Sequence, residues 1–593
     1  MPSVDPIAAF DGCPISMSDG KPCGRPLYKD RSGVDGQPVC IMHSHDMKKS
    51  PADVWENVLA ILNRSSKANR LTQRYDFSGF VFLDTDFSQR KFDREACFKQ
   101  ATFTQFANFS KATSDSIVDF SGAIFDRDAS FTNVQFIQEY KFSDATFNGS
   151  LDFSGVTFRY SVDFSGAQFD GSVNFSEVNF ERKADFSRAR FNSSANFSGA
   201  HFKDHSDFSA STITHGDFSR AIFHSVSPFV ETTFLQRSRF FNTTFAENVQ
   251  FVRSVFMDLT EFQLATFSKD AIFWNATFFA GGDFTGATFH RGGDFSNAVF
   301  GQRKEPSTLA TSAHPSPAVA DFRRVRFAEP ARVLFHQVNK SSLEGLRLRL
   351  LMANVEAVRF DDVHWHEEGW RKIVIQDELD ITKPFKVEGK KEVPKEESHK
   401  ETEEETAVHY ELVAIIYRQL INNFEKVRAF DLAEDCWYGV REMKRLDPSH
   451  FVLSGWLGIY YRRWWWLRWF GERFSALYLY QKASHYGSSH QRALEMLVFV
   501  LFAFAVAYPL TGLEETKGVR LGLTSWLEMF QAYPAGWFHS LEVATFQRAT
   551  LYVTTSKLGR LLEIFESILV PAQVSLLLLA LRRRFRSGSS SGS

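Results

Sequence analysis

The sequence predicts an all-β solenoid joined to an α-helical adaptor and a two-helix transmembrane module. The solenoid is predicted because phenylalanine recurs at alternating intervals of five and six residues across residues 77–300. The membrane module is predicted because two long apolar segments follow, beyond a stretch rich in lysine and glutamate. A fixed short period over so long a stretch indicates a solenoid.

Most phenylalanines of the repeat follow a small apolar residue by two positions, as Phe169 follows Ala167. Residues i−2 and i of an extended stretch point to the same side, so both side chains should face inward. The Ser-Gly or Ser-x pair that comes next suits a corner, because Asp, Asn, Ser and Gly satisfy turn backbones. Faces of 5, 6, 5 and 6 residues would make a four-sided coil of 22 residues. Ile213 and Ser114 are rare substitutes for phenylalanine in this pattern.

The units AQFDG, VNFSE, ADFSR and ANFSG resemble pentapeptide repeats, with phenylalanine in the central slot. The resemblance covers residues 77–335 and implies a right-handed quadrilateral β-helix with coils about 4.8 Å apart. We assign residues 77–378 to this domain. A Pro/Ser-rich insertion at residues 301–318 interrupts it as a surface loop. Residues 331–378 are the expected C-terminal cap, because an exposed solenoid end would template aggregation.

The N-terminal residues 1–50 predict a small zinc-binding module, followed by a linker helix within residues 51–76. This segment is rich in glycine and proline and has too little apolar content to bury a core, which a four-coordinate structural zinc would supply. Its spacing, C-x9-C-x16-C-x2-H, resembles small zinc-ribbon-like modules. The predicted ligands are Cys13, Cys23, Cys40 and His43, with His45 as an alternative to His43. Unliganded thiols are the competing interpretation.

Composition excludes several classes of function. The net charge of −2 gives no basic field that would attract nucleic acid. Five cysteines are too few for a disulfide framework, and no secretory signal peptide precedes them, so the soluble part is expected in the cytoplasm. The sequence shows no nucleophile–base pair, phosphate loop or catalytic metal spacing. We therefore expect a protein that is not an enzyme.

The segments after the solenoid predict an adaptor that leads to a membrane. Residues 379–406 are a charged linker, and residues 407–447 have the apolar stripes of a helix hairpin. Residues 448–491 mix Trp, Tyr and Arg densely and are predicted to form interfacial helices, because such side chains prefer the headgroup zone. The low-complexity residues 587–593 are predicted to be a flexible tail.

Residues 492–586 are predicted to form a two-transmembrane domain. The apolar segments 494–510 and 561–581 are each about long enough to cross a bilayer. Basic residues precede the first segment and follow the second. By the positive-inside rule these two ends lie in the cytoplasm. The expected location is therefore the inner (cytoplasmic) membrane, with an in–out–in topology and a cytoplasmic N-terminal domain and C-terminus.

The order of helix, short amphipathic helix, turn and helix resembles the two-transmembrane pore module of potassium-channel-like proteins. The match is best between residues 559–585 and the inner helix of that module. Bacterial pentapeptide-repeat proteins carry such modules, and the resemblance implies a homo-oligomer, with a tetramer expected. Where the potassium filter would read TVGYG, this chain reads TFQRA at residues 545–549. Potassium selectivity therefore does not follow, because no glycine builds the carbonyl ladder.

Polar residues inside the predicted membrane domain are candidates for the pore lining, because intramembrane carboxylates normally face water or a partner. The candidates are Thr545, Phe546, Gln547, Arg548, Glu563, Glu566 and Gln573. Pro571 on the second span is a candidate hinge. Arg548 would repel cations that Glu563 and Glu566 would attract, and the alternative for the two acids is a position at the membrane interface.

These features predict a homo-oligomeric membrane ion channel or pore with a cytoplasmic repeat domain that senses or docks an unknown protein or ligand. Its expected partners are the lipid bilayer, further copies of the chain and inorganic ions, but no nucleic acid. The first alternative is a membrane-anchored scaffold without conductance. The second is a DNA mimic that binds topoisomerase, as some pentapeptide-repeat proteins do.

Overall fold

The computed structural model describes residues 12–28, 37–63, 74–302, 317–382, 403–447, 476–486, 489–511, 513–515, 520–521, 526–546 and 552–588. The chain divides into two units. The first comprises Met1–Glu368 with Ile375–Asp377, and the second comprises Gly369–Val374 with Glu378–Ser593.

The first unit is a β-solenoid of about 12 turns. Each turn contributes four short strands, and each strand pairs in parallel with the strand at the same place in the next turn. The first four strands are Tyr75–Asp76, Val81–Phe82, Thr85–Asp86 and Lys91–Phe92. They pair with Ala96–Cys97, Thr102–Phe103, Ala107–Asn108 and Thr113–Ser114.

Nearly all the strands between the two ends are two residues long and keep this order. Two longer strands, Arg190–Asn196 and Thr212–Asp217, each continue around a corner onto a second face. The last strands are Val319–Asp321, Arg326–Phe327, Val333–His336, Arg347–Arg349 and Arg359–Asp361. The predicted solenoid is confirmed, and its right-handed quadrilateral form stays a prediction.

The core of the solenoid is a set of stacked phenylalanine rings. Phe125 pairs in register with Phe147, 22 positions later, and their ring centroids lie 4.7 Å apart at an angle of 10°. Rings on different faces meet edge to face, as Phe153 meets Phe164 at 5.7 Å and 76°. Both arrangements suit the aromatic quadrupole. The stacking distance follows from the spacing of paired strands, which is about 4.7–4.9 Å.

The corners of the coils adopt the left-handed backbone conformation. The residue after the serine has a φ of +68° at Gly166, +59° at Arg188 and +56° at Glu177. The outward Asp or Asn caps the same turn, as Asp163 Oδ1 accepts from the Ser165 amide at 2.9 Å. The predicted roles of Ser-Gly and Ser-x as corners are therefore confirmed.

Ser114 interrupts one of the phenylalanine stacks. Its backbone pairs with Phe92 on one side and Phe136 on the other. Its hydroxyl is buried and donates to the Ser116 carbonyl at 2.7 Å. The small-residue slot two positions before Phe142 holds Tyr140, which is buried and hydrogen-bonded to Ser114. Burial raises the pKa of the Tyr140 phenol.

Other elements cover the two ends of the solenoid. Helix α1 (Pro51–Leu62) begins after Ser50, whose side chain accepts from the Asp53 amide. This helix lays its Trp55 ring against Phe87 at 5.4 Å. At the other end Phe360 contacts Trp365 at 5.3 Å, and Asp377 accepts from the Leu350 amide at 2.6 Å. That carboxylate satisfies a donor on the last coil.

The second unit is helical. Helix α2 (Gln376–Thr382) begins in the first unit and ends in the second. The other helices of the second unit are α3 (Glu403–Lys426), α4 (Phe430–Leu446), α5 (Ala476–Ser484), α6 (His490–Thr511), α7 (Trp526–Ala544) and α8 (Lys557–Gly588). A three-stranded antiparallel sheet joins Leu513–Glu515 to Arg520–Leu521 and to Tyr552–Thr554. The predicted interfacial residues 448–475 and most of the charged linker lie outside the described residues.

Helices α3 and α4 form a hairpin that buries an ionic group. Arg371 donates to Glu378 at 2.6 Å and to the Tyr417 hydroxyl at 3.2 Å, and it lies 5.0 Å from the Tyr438 ring. Arg371, Glu378 and Tyr417 are all buried. A buried charge needs such pairing, because removing one partner would leave the other uncompensated. The segment that follows the solenoid in sequence is thus anchored in the helical unit.

Helices α6 and α8 are long and apolar enough to cross a membrane, by length and composition. Only 28% of the apolar window of α6 and 22% of that of α8 are buried within the chain. The core helix of a soluble protein would be mostly buried. Leucine, isoleucine, valine and phenylalanine instead cover the exposed faces, among them Phe499, Leu561, Ile564, Ile568 and Leu578.

Candidate metal centre and buried polar cluster

Two backbone features bring the predicted metal ligands together. The Cys13 amide donates to the Arg25 carbonyl at 2.9 Å and the Gly24 amide to the Cys13 carbonyl at 3.0 Å, so two extended segments pair beside Cys23. A tight turn follows, in which the His43 amide donates to the Cys40 carbonyl at 3.0 Å. The turn places Cys40 and His43 on the same side of the module.

The four ligand atoms of Cys13, Cys23, Cys40 and His43 all lie within 4.8 Å of one another. His43 Nδ1 is 3.3 Å from the sulfurs of Cys13 and Cys40, and the sulfurs of Cys23 and Cys40 are 3.9 Å apart. A tetrahedral zinc with Zn–S of about 2.3 Å and Zn–N of about 2.0 Å would set these separations at about 3.5 Å and 3.8 Å. The cluster therefore could hold a metal ion, and His45 is not part of it.

The sulfurs of Cys23 and Cys40 are in hydrogen-bond contact at 3.9 Å. This contact lowers the pKa of the Cys23 thiol and raises the pKa of the Cys40 thiol. Arg25 Nη1 also donates to the Cys23 sulfur at 3.3 Å.

The imidazole of His43 is oriented by the solenoid. Its Nε2 lies 3.0 Å from the Ser78 carbonyl, and its ring meets Phe80 edge to face at 5.1 Å. A carbonyl can only accept, so Nε2 carries the hydrogen and the lone pair of Nδ1 points at the thiols. A carbonyl or carboxylate bound to the second nitrogen is the usual support of a metal-ligating histidine.

The same module covers the first coil of the solenoid. The Val81 amide donates to the Met42 carbonyl at 2.7 Å. Lys49 is buried and donates to the carbonyls of Val81 at 2.7 Å and Ser44 at 2.6 Å. Backbone groups at the open edge of the solenoid are thereby paired, as an edge strand requires.

A second polar cluster lies among α6, α7 and α8. Glu566 is fully buried and accepts from the Tyr508 hydroxyl of α6 at 2.5 Å and from the Ser540 hydroxyl of α7. One turn earlier, Glu563 contacts His539 Nε2 of α7 at 3.0 Å and accepts from the Thr554 hydroxyl at 2.7 Å.

The structure places the other predicted pore residues apart from this cluster. Gln573 is buried and donates to the carbonyls of Ala483 at 2.9 Å and Ala493 at 2.8 Å. Pro571 lies within α8, which continues through it from Lys557 to Gly588. Thr545 and Phe546 end α7 in an exposed turn, while Gln547 and Arg548 lie outside the described residues. The hinge and the lining of a pore stay predictions.

Sequence reasoning missed Tyr508, His539 and Ser540. Glu566 and Glu563 were identified because carboxylates are rare in apolar spans. The three missed residues carry a weaker signal, since Tyr and Ser occur often in apolar helices. The dipeptide His539–Ser540 inside a stretch of aromatic residues was the one cue available.

Comparison with known proteins identifies the repeats. The family described as pentapeptide repeats (9 copies) matches residues 87–135, 131–179, 164–212 and 175–222. Neither the curated proteins nor the solved structures gave a match. The stacked coils and the repeat matches agree on the same residues. Residues 87–222 are therefore pentapeptide repeats, and the solenoid that contains them is a pentapeptide-repeat domain.

Proposed function

We propose that the chain is a homo-oligomeric membrane channel or pore protein of the inner membrane, with a cytoplasmic pentapeptide-repeat domain that docks a partner. One observation carries this proposal. Helix α7 packs between the two apolar helices through His539 and Ser540, whose side chains are fully buried. A protein that is only anchored by two spans does not require a third helix that places polar side chains between those spans.

The depth of the acids supports a pathway near the outer side. Glu566 comes nine residues after Lys557, the first residue of α8, and nine residues of helix rise about 14 Å. In the in–out–in topology that the basic flanks favour, both acids therefore lie in the outer half of the membrane. Glu563 keeps 31% of its side chain exposed. It is the better candidate to line a pathway between copies, and Glu566 would hold α7 in place.

A membrane-anchored scaffold is the second candidate, and a different observation favours it. Both oxygens of Glu566 and the amide of Gln573 are engaged within one chain. Groups with saturated hydrogen bonds have little reason to face a water-filled pore. In the scaffold, the apolar faces of α6 and α8 contact lipid, and the solenoid is held near the membrane.

The number of subunits separates the two candidates first. We expect native mass spectrometry of the detergent-solubilised protein to give a tetramer or a larger ring, since two spans per chain enclose a pore only in several copies. A monomer or dimer would favour the scaffold.

Ion flux into liposomes then tests Glu563. Glu563→Gln should reduce cation flux by several-fold, because it removes a negative charge from the pathway. Glu495→Gln is the matched control, as Glu495 is exposed and pairs with Arg492 at 3.3 Å at the other end of α6. Equal flux through all three proteins, or none through the wild-type oligomer, would contradict the proposed pathway.

We also propose that the metal of the N-terminal centre is zinc in a structural role. Three thiolates and one imidazole are the donor set of closed structural zinc sites, and none of the four positions is left for a substrate. Bound zinc would tie three separated stretches of the module together. The metal content of the full chain, with Cys40→Ser as the variant, tests this assignment.

A further inference from the structure

The polar cluster among α6, α7 and α8 contains a buried nitrogen without a partner. The His539 side chain is fully buried, and its Nδ1 makes no hydrogen bond to any described residue. Its Nε2 faces Glu563 Oε1 at 3.0 Å. Buried polar atoms are nearly always satisfied, so an exception calls for an explanation.

The charges around this nitrogen are negative. Glu563 and Glu566 are three positions apart on α8 and are therefore neighbours on its surface. Glu566 is faced by Tyr508 from α6 and Ser540 from α7, and Glu563 by Thr554 and His539. No lysine or arginine pairs with either acid in the described part of the chain. Two neighbouring carboxylates without a cation favour the uptake of positive charge.

We propose that this cluster is a proton-binding site, in which His539 takes up one proton at Nδ1. The proton comes from water and adds to the free lone pair of Nδ1. Nε2 keeps its hydrogen and donates it to Glu563, so the contact becomes an ion pair. With Glu563 ionised, the net charge of the His539–Glu563 pair changes from −1 to 0, and no other bond changes.

The surroundings suit the imidazolium that forms. The Tyr508 ring meets the His539 ring in an edge-to-face arrangement at 4.6 Å and 87°, a geometry that aromatic rings favour. Tyr508 also donates to Glu566, so one side chain touches both halves of the cluster. Ionisable groups buried in a membrane domain normally mark a path or a store for ions or protons.

Difference titration of the full chain in detergent micelles tests the site. The difference between the titration curves of the wild type and His539→Gln should show the uptake of one proton per chain as the pH is lowered. Glutamine keeps a donor for Glu563 but cannot be protonated. In a Glu563→Gln background the same step should move to lower pH by about one unit or more, because the partner carboxylate is gone.

Two controls make the result decisive. Glu495→Gln removes a carboxylate from the exposed end of α6 and should leave the step where it is in the wild type. If His539→Gln fails to fold, the difference between the titration curves of the wild type and Glu563→Gln still tests the site, because both proteins contain His539. A flat difference curve, or a step that Glu563→Gln does not move, would overturn the proposal. The titration needs no conduction, so its outcome is independent of whether the protein forms a channel.

Discussion

Ser114 and Tyr140 show that the solenoid exchanges volume between two slots. A serine stands where the repeat calls for phenylalanine, and a tyrosine stands where it calls for a small residue. Both are buried, and they are hydrogen-bonded to each other. The larger residue at one slot fills space that the smaller one leaves, so the core keeps its density although the pattern is broken twice.

Restoring the regular pattern at both slots should therefore change the free energy of unfolding little, whereas restoring it at one slot should lower that free energy. Ser114→Phe alone overfills the coil beside Tyr140, and we expect it to lower the free energy of unfolding by about 1–3 kcal/mol. Tyr140→Val alone leaves a cavity in the core, which also lowers the free energy of unfolding. The double variant matches the valines of the adjacent coils, Val118 and Val162. Thermal unfolding of the full chain measures all four proteins.

The double variant should be more stable than the sum of the two single changes predicts, by a coupling energy of about 0.5–3 kcal/mol. Additive effects would show that the two slots do not share space. Ile213→Phe, at the other irregular slot, is the control and should show no coupling to Tyr140→Val.

The sequence rhythm was sufficient to place nearly every inward residue, because each coil repeats the same geometry. It could not reveal why Ser114 is tolerated. The compensating tyrosine is 26 positions away in sequence, and only the stacking of coils makes the two neighbours. The same limit applies to His539, whose role depends on a carboxylate of another helix.

At the scale of an element, the coils approach each other most closely at a pair of glycines. A Cβ built on Gly171 would lie 2.2 Å from the Gly149 carbonyl oxygen. Gly155 differs, since a Cβ there meets no atom within 4 Å, although its φ is +66°. Close packing thus requires glycine at position 171, whereas at position 155 only the left-handed backbone conformation disfavours a side chain.

We expect Gly171→Ala to lower the free energy of unfolding by about 2–3 kcal/mol, because backbone of the adjacent coil has to move. Gly155→Ala is the matched control and should cost about 1 kcal/mol, the penalty of a left-handed residue with a Cβ. Denaturant unfolding of the full chain gives both values. Equal costs would mean that the coils separate more easily than their spacing implies.

The helical elements were predicted less completely than the coils. Apolar length identified α6 and α8, since a span of that size needs no partner to be recognised. The 19 residues of α7 were expected as a short helix and a turn. Its close approach to α6, where a Cβ on Gly536 would lie 2.0 Å from the Ala505 carbonyl oxygen, depends on contacts that no local pattern encodes.

At the scale of the whole molecule, the N-terminal module connects the candidate metal centre to the stability of the solenoid. His43 reaches the Ser78 carbonyl, and Met42 accepts from the Val81 amide. Loss of the metal would free the turn that carries both residues. The first coil would then present unpaired backbone groups, as an uncovered edge does.

We expect the full chain to bind one zinc ion and Cys40→Ser to bind none, as measured by elemental analysis. Hydrogen exchange at the Val81 amide should become faster in Cys40→Ser, because its acceptor Met42 is then released. The Phe164 amide, in the middle of the solenoid, is the internal control and should not change. Cys436→Ala, at a buried helical position, should keep its zinc. Unaltered exchange at Val81 in the metal-free protein would show that the cap does not depend on the metal.

The length of the solenoid is set by its number of coils. One coil spans 22 residues, as Ile124 pairs with Thr146, and each coil adds one strand spacing of about 4.8 Å. A gene that gains or loses 66 base pairs in register would therefore lengthen or shorten the solenoid by one coil without altering its cross-section. Evolution can therefore change the length of this domain in fixed steps of one coil.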